Sequence, residues 1–328
     1  MYEQCFTVPV NEPISASGPN MSVLNTVNKN YITVLHAHSV SLIDFDPSEP
    51  EKYSVAHLDD VSDSKSEDFI IQAKIFDFEP DTILIAVVTH RMIKIFQKDG
   101  FSKIYENNFS DRPKPPERSA IFGRPKGLSY FMATVFCVQP NNTLARLVLI
   151  RNGSKIKVKQ GPCLTMTENT ISDLDTNGNY IASGDVSGRA VVFRQNSEND
   201  LVFWTQFDEL NPFAVSTVKL YNQILLVGRS SGHIRLYDLQ KKITLAEVSA
   251  HSKWIPSMDV AESSGLVISC SEDTVIRLWE LDNTINLHTS IRFPNLIGVG
   301  VVFMDEQGNY FAVSGYDNTK IFCYKKAD

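Results

Sequence analysis

AHSKWIPSMDVAESSGLVISCSEDTVIRLWELDN, residues 250–283, carries the pattern on which the fold turns. An Ala-His pair opens it. A β-branched run follows at Leu266–Ser271, then a Glu-Asp turn, then a second strand-like run, Thr274–Glu280, ending in Trp279-Glu280. Strand formers on both sides of a short polar turn read as a hairpin. The ending of its second strand recurs along the chain as SLIDFD, MIKIFQ, ARLVLIR, AVVFRQ, HIRLYD, VIRLWE and KIFCYK. The residues at the Trp position are Phe45, Phe96, Ile150, Phe193, Tyr237, Trp279 and Cys323. The last four intervals are 43, 44, 42 and 44 residues, the period of about 40–45 expected of a four-stranded propeller blade. The first two, 51 and 54 residues, contain polar insertions.

Seven recurrences predict an all-β, seven-bladed β-propeller occupying the whole chain. Its blades are expected near residues 17–56, 69–107, 119–163, 168–208, 213–249, 250–292 and 295–328 plus 4–10. Thr82–Val88 and Ile224–Val227 are apolar at nearly every residue, as strands covered on both faces should be. Gly184 and Gly188, Gly228 and Gly232, and Asp317-Asn318 separate strand pairs at hairpin spacing. Five residues after Cys323 are too few for a fourth strand in the last blade. Gln4–Val10 is extended and apolar, so this N-terminal strand is expected to pair with the last blade and close the ring. Such a toroid leaves only short, protected edges.

Composition narrows the function. With 31 Lys+Arg against 38 Asp+Glu, the net charge is −7, which argues against a general nucleic-acid binder. The 43% apolar content is ample for a core and too high for a disordered chain. The longest apolar runs, such as Tyr130–Val138, have the length of strands, far short of a membrane helix. MYEQCFTVPV lacks the basic start and apolar stretch of a secretory signal. Cys5, Cys137, Cys163, Cys270 and Cys323 are scattered and odd in number, against a disulfide framework or zinc site. These features set the expectation of a cytoplasmic protein. The N-x-[ST] triplets at Asn20, Asn108, Asn141 and Asn152 then read as chance.

The 250–283 unit resembles a WD repeat, with its Gly-His opening, Ser-x-Asp turn and Trp-Asp ending; here Ala250 replaces the Gly and Glu280 the Asp. Four stretches resemble one branch of the WD-repeat family more closely. They are MSVL (21–24), THRMIKIFQKDGFSKIYENN (89–108), the 250–281 repeat and GNYFAVSGYD (308–317). The resemblance implies a non-catalytic interaction protein with no defined cofactor. It also implies a hydrogen-bonded relay in blade six, made of His251, Ser269, Asp273 and Trp279. Blade seven keeps Asp317 but has Val313 at the Ser position, while blades four and five carry Ser187 and Ser231 at the Asp position.

The motifs of chemistry are missing. Ser, His and Asp occur together in the relay, but no G-x-S-x-G turn accompanies them. His36 and His38 could share one strand face, yet no third ligand has the spacing for a metal. SGDVSG (183–188), GRSSGH (228–233) and GRPKG (123–127) do not match a phosphate loop. Catalytic, cofactor and metal residues are therefore expected to be none.

The expected partners are proteins or peptides. By the resemblance, the residue before each turn Asp and the first residues of each innermost strand share one face. In this chain they are Ser230, Glu272 and Tyr316, with Ser252 and Trp254 at a strand start and Arg229 nearby. Trp, Tyr and Arg are the residue types enriched at binding hot spots. Two alternatives remain. A channel site would draw on Asp173, Asp175 and Asp259; weak RNA binding would use the basic loop at 112–126. HLDDVSDSKSED (57–68) and DRPKPPER (111–118) read as solvated loops, with the Pro-rich one suited to be a docking arm.

Overall fold

A computed structural model describes residues 1–59, 61, 68–109, 126–196, 200–208, 213–282, 284–293 and 296–327. They form seven four-stranded antiparallel sheets. Six sheets run in simple chain order, each strand hydrogen-bonded to the next. The innermost strands are Met21–Asn25, Ile70–Glu79, Leu128–Phe131, Ile171–Asn177, Val215–Tyr221, Ser257–Val260 and Gly298–Phe303. Together they surround a central channel. Second strands such as Thr82–Thr89 and Ile224–Arg229 are almost wholly buried, because neighbouring blades cover both faces. The arrangement is a seven-bladed propeller.

The seventh sheet joins the two ends of the chain. Tyr2–Pro9 pairs antiparallel with Lys320–Lys326, from Tyr2 opposite Lys326 to Pro9 opposite Lys320. The N-terminal strand therefore closes the ring, starting earlier than its apolar pattern suggests. Beyond it, Val10 and Ile14 donate backbone N–H groups to Thr319 and Asn318 at 2.9 Å. Val8, Val10 and Ile14 then enter one core cluster with Ile32 and Ile43 of blade one and Val302 and Ile321 of blade seven. Asn20 is buried at the same seam, donating to Ser15 O at 2.7 Å and accepting from Ser314 Oγ at 2.8 Å. Its side chain is wholly buried, out of reach of a glycan.

Polar side chains on innermost strands link adjacent blades. Asp173 and Asp175 accept the backbone N–H groups of Val218 and Leu220, each at 2.9 Å. Asp259 does the same for Phe303 at 2.8 Å. Ser216 Oγ donates to Ile255 O at 2.6 Å. Sheets that pack face to face cannot share ladder bonds, so side chains supply the directional contacts between them.

The Trp-position register needs two corrections. In blades two, four, five and six a bulge falls immediately before Phe96, Phe193, Tyr237 and Trp279. Blade three pairs Leu147–Asn152 with Lys155–Gln160 without a bulge. Alternation continues there, leaving Ile150 44% exposed while Leu149 is buried. In blade seven the shift lies between Cys323 and Tyr324, so Tyr324 takes the Trp position and stacks on Phe311 at 4.8 Å. A bulge adds one residue and reverses every later side chain, and nothing in either strand's composition announces it.

Candidate functional site

Blade six brings His251, Ser269, Asp273 and Trp279 into one chain of hydrogen bonds. Trp279 Nε1 donates to Ser269 Oγ at 3.0 Å, and Ser269 Oγ lies 2.8 Å from His251 Nε2. His251 Nδ1 lies 3.1 Å from both Asp273 oxygens. The pattern assigns the proton to Nδ1, facing the carboxylate, and makes Nε2 the acceptor of the Ser269 hydroxyl. Asp273 also accepts the backbone N–H groups of Ser252 and Val275 at 3.0 Å. Burial pushes the His251 pKa down to about 4, with Asp273 opposing and Arg277 assisting. Burial works against the Asp273 carboxylate too, but His251 and the two backbone donors outweigh it and hold its pKa low. Ser269 is wholly buried and already bonded to Trp279. Its hydroxyl is thus closed to any substrate, and this Ser-His-Asp set lacks the reach of a nucleophilic triad.

The step two residues after the Ser position has a different solution in each blade. Blade two places Thr89 there, with Oγ1 donating to Asp68 at 2.9 Å. Blade four has Asp185, which accepts from Ser187 N, Arg189 N and Thr167 Oγ1 at 2.7–3.1 Å. Blade six has Ser271, accepting from Asp273 N at 3.1 Å. Blade five has Arg229, and here the sequence expectation is overturned. Arg229 is 2% exposed and unable to serve as a surface contact. Its guanidinium donates to Gly188 O at 2.9 Å, Phe213 O at 3.1 Å and Tyr237 Oη at 3.2 Å. The side chain turns inward because three acceptors converge on one planar fork of donors. No spacing rule points to Arg229, since its carbonyl acceptors belong to other turns.

Four backbone bonds define a common rim where the innermost strands start. Val186, Ser230, Glu272 and Tyr316 donate their N–H groups to Thr170, Ala214, Trp254 and Ile297, at 3.0, 2.9, 3.2 and 2.9 Å. Ser230, Glu272 and Tyr316 therefore occupy equivalent places in blades five, six and seven. Ser252 is exposed and Trp254 partly buried beside them. The rim also carries residues the sequence reading missed. Tyr316, Phe213, Phe69 and Ile297 are 54%, 53%, 43% and 42% exposed, and Phe69 and Phe213 lie just ahead of innermost strands. Apolar residues placed immediately before a strand were legible as a signal, but their outward orientation was not.

The remaining candidates separate. His36 is buried, with Nε2 2.7 Å from Ser41 Oγ and Nδ1 donating to Pro13 O at 3.1 Å. His38 instead packs on the Phe69 ring, so the two imidazoles serve different neighbours. Among the described residues no three His, Cys, Asp or Glu side chains gather as a metal set. Lys126 of the basic loop turns in to donate to Gly18 O at 2.8 Å. Residues 112–125, including all of 112–118, lie outside the described residues, as does most of 57–68.

Seven blades, a complete His-Ser-Asp-Trp relay and a closing N-terminal strand define a WD-repeat β-propeller. The family model described as WDR54 matches residues 1–326, and the chain belongs to that family. WD repeat-containing protein 54 of Mus musculus is 24% identical, with 98% of each chain covered. The Homo sapiens protein of that name is 25% identical over 96% of each. Among solved structures, a chain of the mitotic checkpoint complex superposes with a TM-score of 0.75 at 11% identity. It covers 99% of this chain and 92% of its own length, a likeness of fold alone.

Proposed function

We propose that the protein is a non-catalytic scaffold that binds proteins or peptides through its strand-start rim. One observation carries this reading: Phe69, Phe213, Ile297 and Tyr316 expose apolar surface on the same rim, around a rigid ring. Binding residues concentrate where loops sit on a stiff framework, and aromatic residues dominate interface energetics. Ser252, Trp254, Glu272 and Ser230 supply polar and amphipathic neighbours for the contact. Arg229 belongs beneath this surface, holding the Phe213 carbonyl from inside. The alternative channel enzyme gains no support from Asp173, Asp175 and Asp259, whose carboxylates brace neighbouring blades. A cytoplasmic location is part of the proposal, tested by imaging a fluorescent fusion.

The direct test is affinity capture with the full chain, comparing wild type, a Phe213→Ala/Tyr316→Ala variant and Trp254→Ala. Leu287→Ser, on the exposed outer strand Ile285–Arg292, is the control. The rim variants should keep the wild-type circular dichroism yet lose the same captured protein by about tenfold or more. Capture that survives the rim variants and fails with Leu287→Ser would move the binding surface to the outer edge.

A further inference from the structure

The outermost strand of blade three, Lys155–Gln160, differs from its counterparts in regularity. In the other blades a register shift interrupts the ladder between the third strand and the outermost one. Lys155–Gln160 pairs without a break, from Asn152 opposite Lys155 to Leu147 opposite Gln160. Bulges twist an edge away and end its pairing; a regular strand keeps a usable ladder on its free side. Lys155–Gln160 is last in its sheet, and among the described residues nothing is hydrogen-bonded to its outer side. The two-residue turn Gly153-Ser154 makes Asn152 and Lys155 a hydrogen-bonded pair. Alternation along the ladder then points the backbone N–H and C=O groups of Ile156 and Val158 outward.

Its charge is different too. Outermost strands elsewhere answer a charge with its opposite: Lys52 with Glu49, Lys103 with Glu106, Glu247 with Arg235. Lys155, Lys157 and Lys159 are all exposed, and among the described residues none makes an ion pair. Their cross-strand neighbours Asn152, Ile150 and Val148 are uncharged. Ile156 and Val158 pack on the core between blades two and three, so the lysines share the opposite face. Like charges at a strand's two-residue repeat of roughly 6.8 Å repel one another, being closer than the screening length of about 8 Å at physiological salt.

Lysines guard an edge by charge, yet the charge that repels a basic strand attracts an acidic one. An extended peptide has the same two-residue repeat. Carboxylates at alternate positions would meet the three lysines in register, while its backbone takes up the free ladder groups. A nucleic acid could answer the charge but not the ladder, and the net charge of −7 opposes a long polyanion. We propose that Lys155–Gln160 docks an extended peptide with acidic residues at every second position, added as a further strand of blade three. This edge shares no residue with the rim, so either assignment can fail without the other.

Fluorescence anisotropy on the full-length protein tests it. The labelled probes are Glu-Val-Glu-Val-Glu-Val, its block isomer Glu-Glu-Glu-Val-Val-Val, the strand-breaking Glu-Val-Glu-Pro-Glu-Val, and oligouridylate. The alternating peptide should bind saturably, and the other three about tenfold more weakly or worse. A Lys155→Gln/Lys157→Gln/Lys159→Gln protein should weaken it by about tenfold or more with wild-type circular dichroism, whereas Phe213→Ala/Tyr316→Ala should leave it unchanged. Absence of saturable binding, or a block isomer or oligouridylate that binds equally well, overturns the proposal without any variant. Wild-type affinity in the folded triple-lysine variant, or loss in the folded rim variant, overturns it equally.

Discussion

Blades five and six share one sheet architecture and part at three residues of the second hairpin. Blade six has Ser269, Ser271 and Asp273, and its relay closes largely within the blade. Blade five has Val227, Arg229 and Ser231, and its buried Arg229 reaches back 41 residues to Gly188 in the turn of blade four. One blade fastens itself; the other fastens its neighbour. The two systems also meet, because His251 N donates to Gly232 O at 2.8 Å. Gly232 has φ of 85°, and a Cβ there would stand 2.1 Å from His251 O, so blade five's turn can approach the relay only as glycine. The repeat thus preserves geometry while the polar chemistry is free to change.

The largest expected effect asks whether such blade-level fastening can hold anything by itself. Deleting residues 1–10 removes the fourth strand of blade seven and the Val8 and Val10 contacts to blade one. If blades were autonomous, the damage would stay in blade seven. The expected result is loss of the whole cooperative melt, with aggregation through the opened edge. A monomeric truncation with the wild-type melting temperature would refute ring closure as the source of stability.

Next comes the inter-blade clamp. Arg229→Met keeps length and apolar bulk but strands Gly188 O, Phe213 O and Tyr237 Oη. The expected cost is about 3 kcal/mol or more, since each stranded buried group costs about 1–3 kcal/mol. Denaturant unfolding measures it, and a midpoint equal to wild type would remove Arg229 from the comparison.

His251→Ala breaks the local relay and leaves Ser269 and Asp273 short of partners. About 1–3 kcal/mol should be lost, somewhat less than for Arg229→Met. A larger loss than that of Arg229→Met would reverse the ranking of local and inter-blade fastening.

The last expected effect is one of pH. The folded pKa of His251 is about 4, below the ordinary value of roughly 6.5 for an unfolded histidine. Between these values the unfolded chain binds the extra proton, so the contribution is complete above about pH 6.5 and lost as pH falls towards 4. Its size is on the order of 3 kcal/mol across that window. Asp273, held low by the same contacts, adds a loss in the same direction at still lower pH. Stability measured from pH 7 to pH 4 should fall less steeply in His251→Ala than in wild type, and parallel slopes would contradict a neutral buried His251.

The relay was readable in the chain because its four residues lie within 250–283 at spacings tied to one hairpin repeat. Arg229 was misread for the opposite reason. Residue type and a turn position suggested a surface hot spot, while the acceptors that draw it inward come from three separate backbone segments. Ile150 and Cys323 were misassigned because a missing bulge and a shifted one change side-chain direction without changing composition. The exposed Phe69 and Phe213 were visible only as strand-flanking aromatics.

What the amino-acid sequence determined alone is the number of blades, the all-β class, the closing role of the N-terminal segment and the blade-six relay. Each depends on local periodicity, and a repeated hairpin imposes the same geometry wherever its pattern occurs. Tertiary structure decided which way individual side chains face: Arg229 into the seam, Tyr316 and Phe213 onto the rim, Lys74 into the channel. Those outcomes depend on which acceptors and charges are delivered by other blades. That delivery exists only once seven blades have closed on one another.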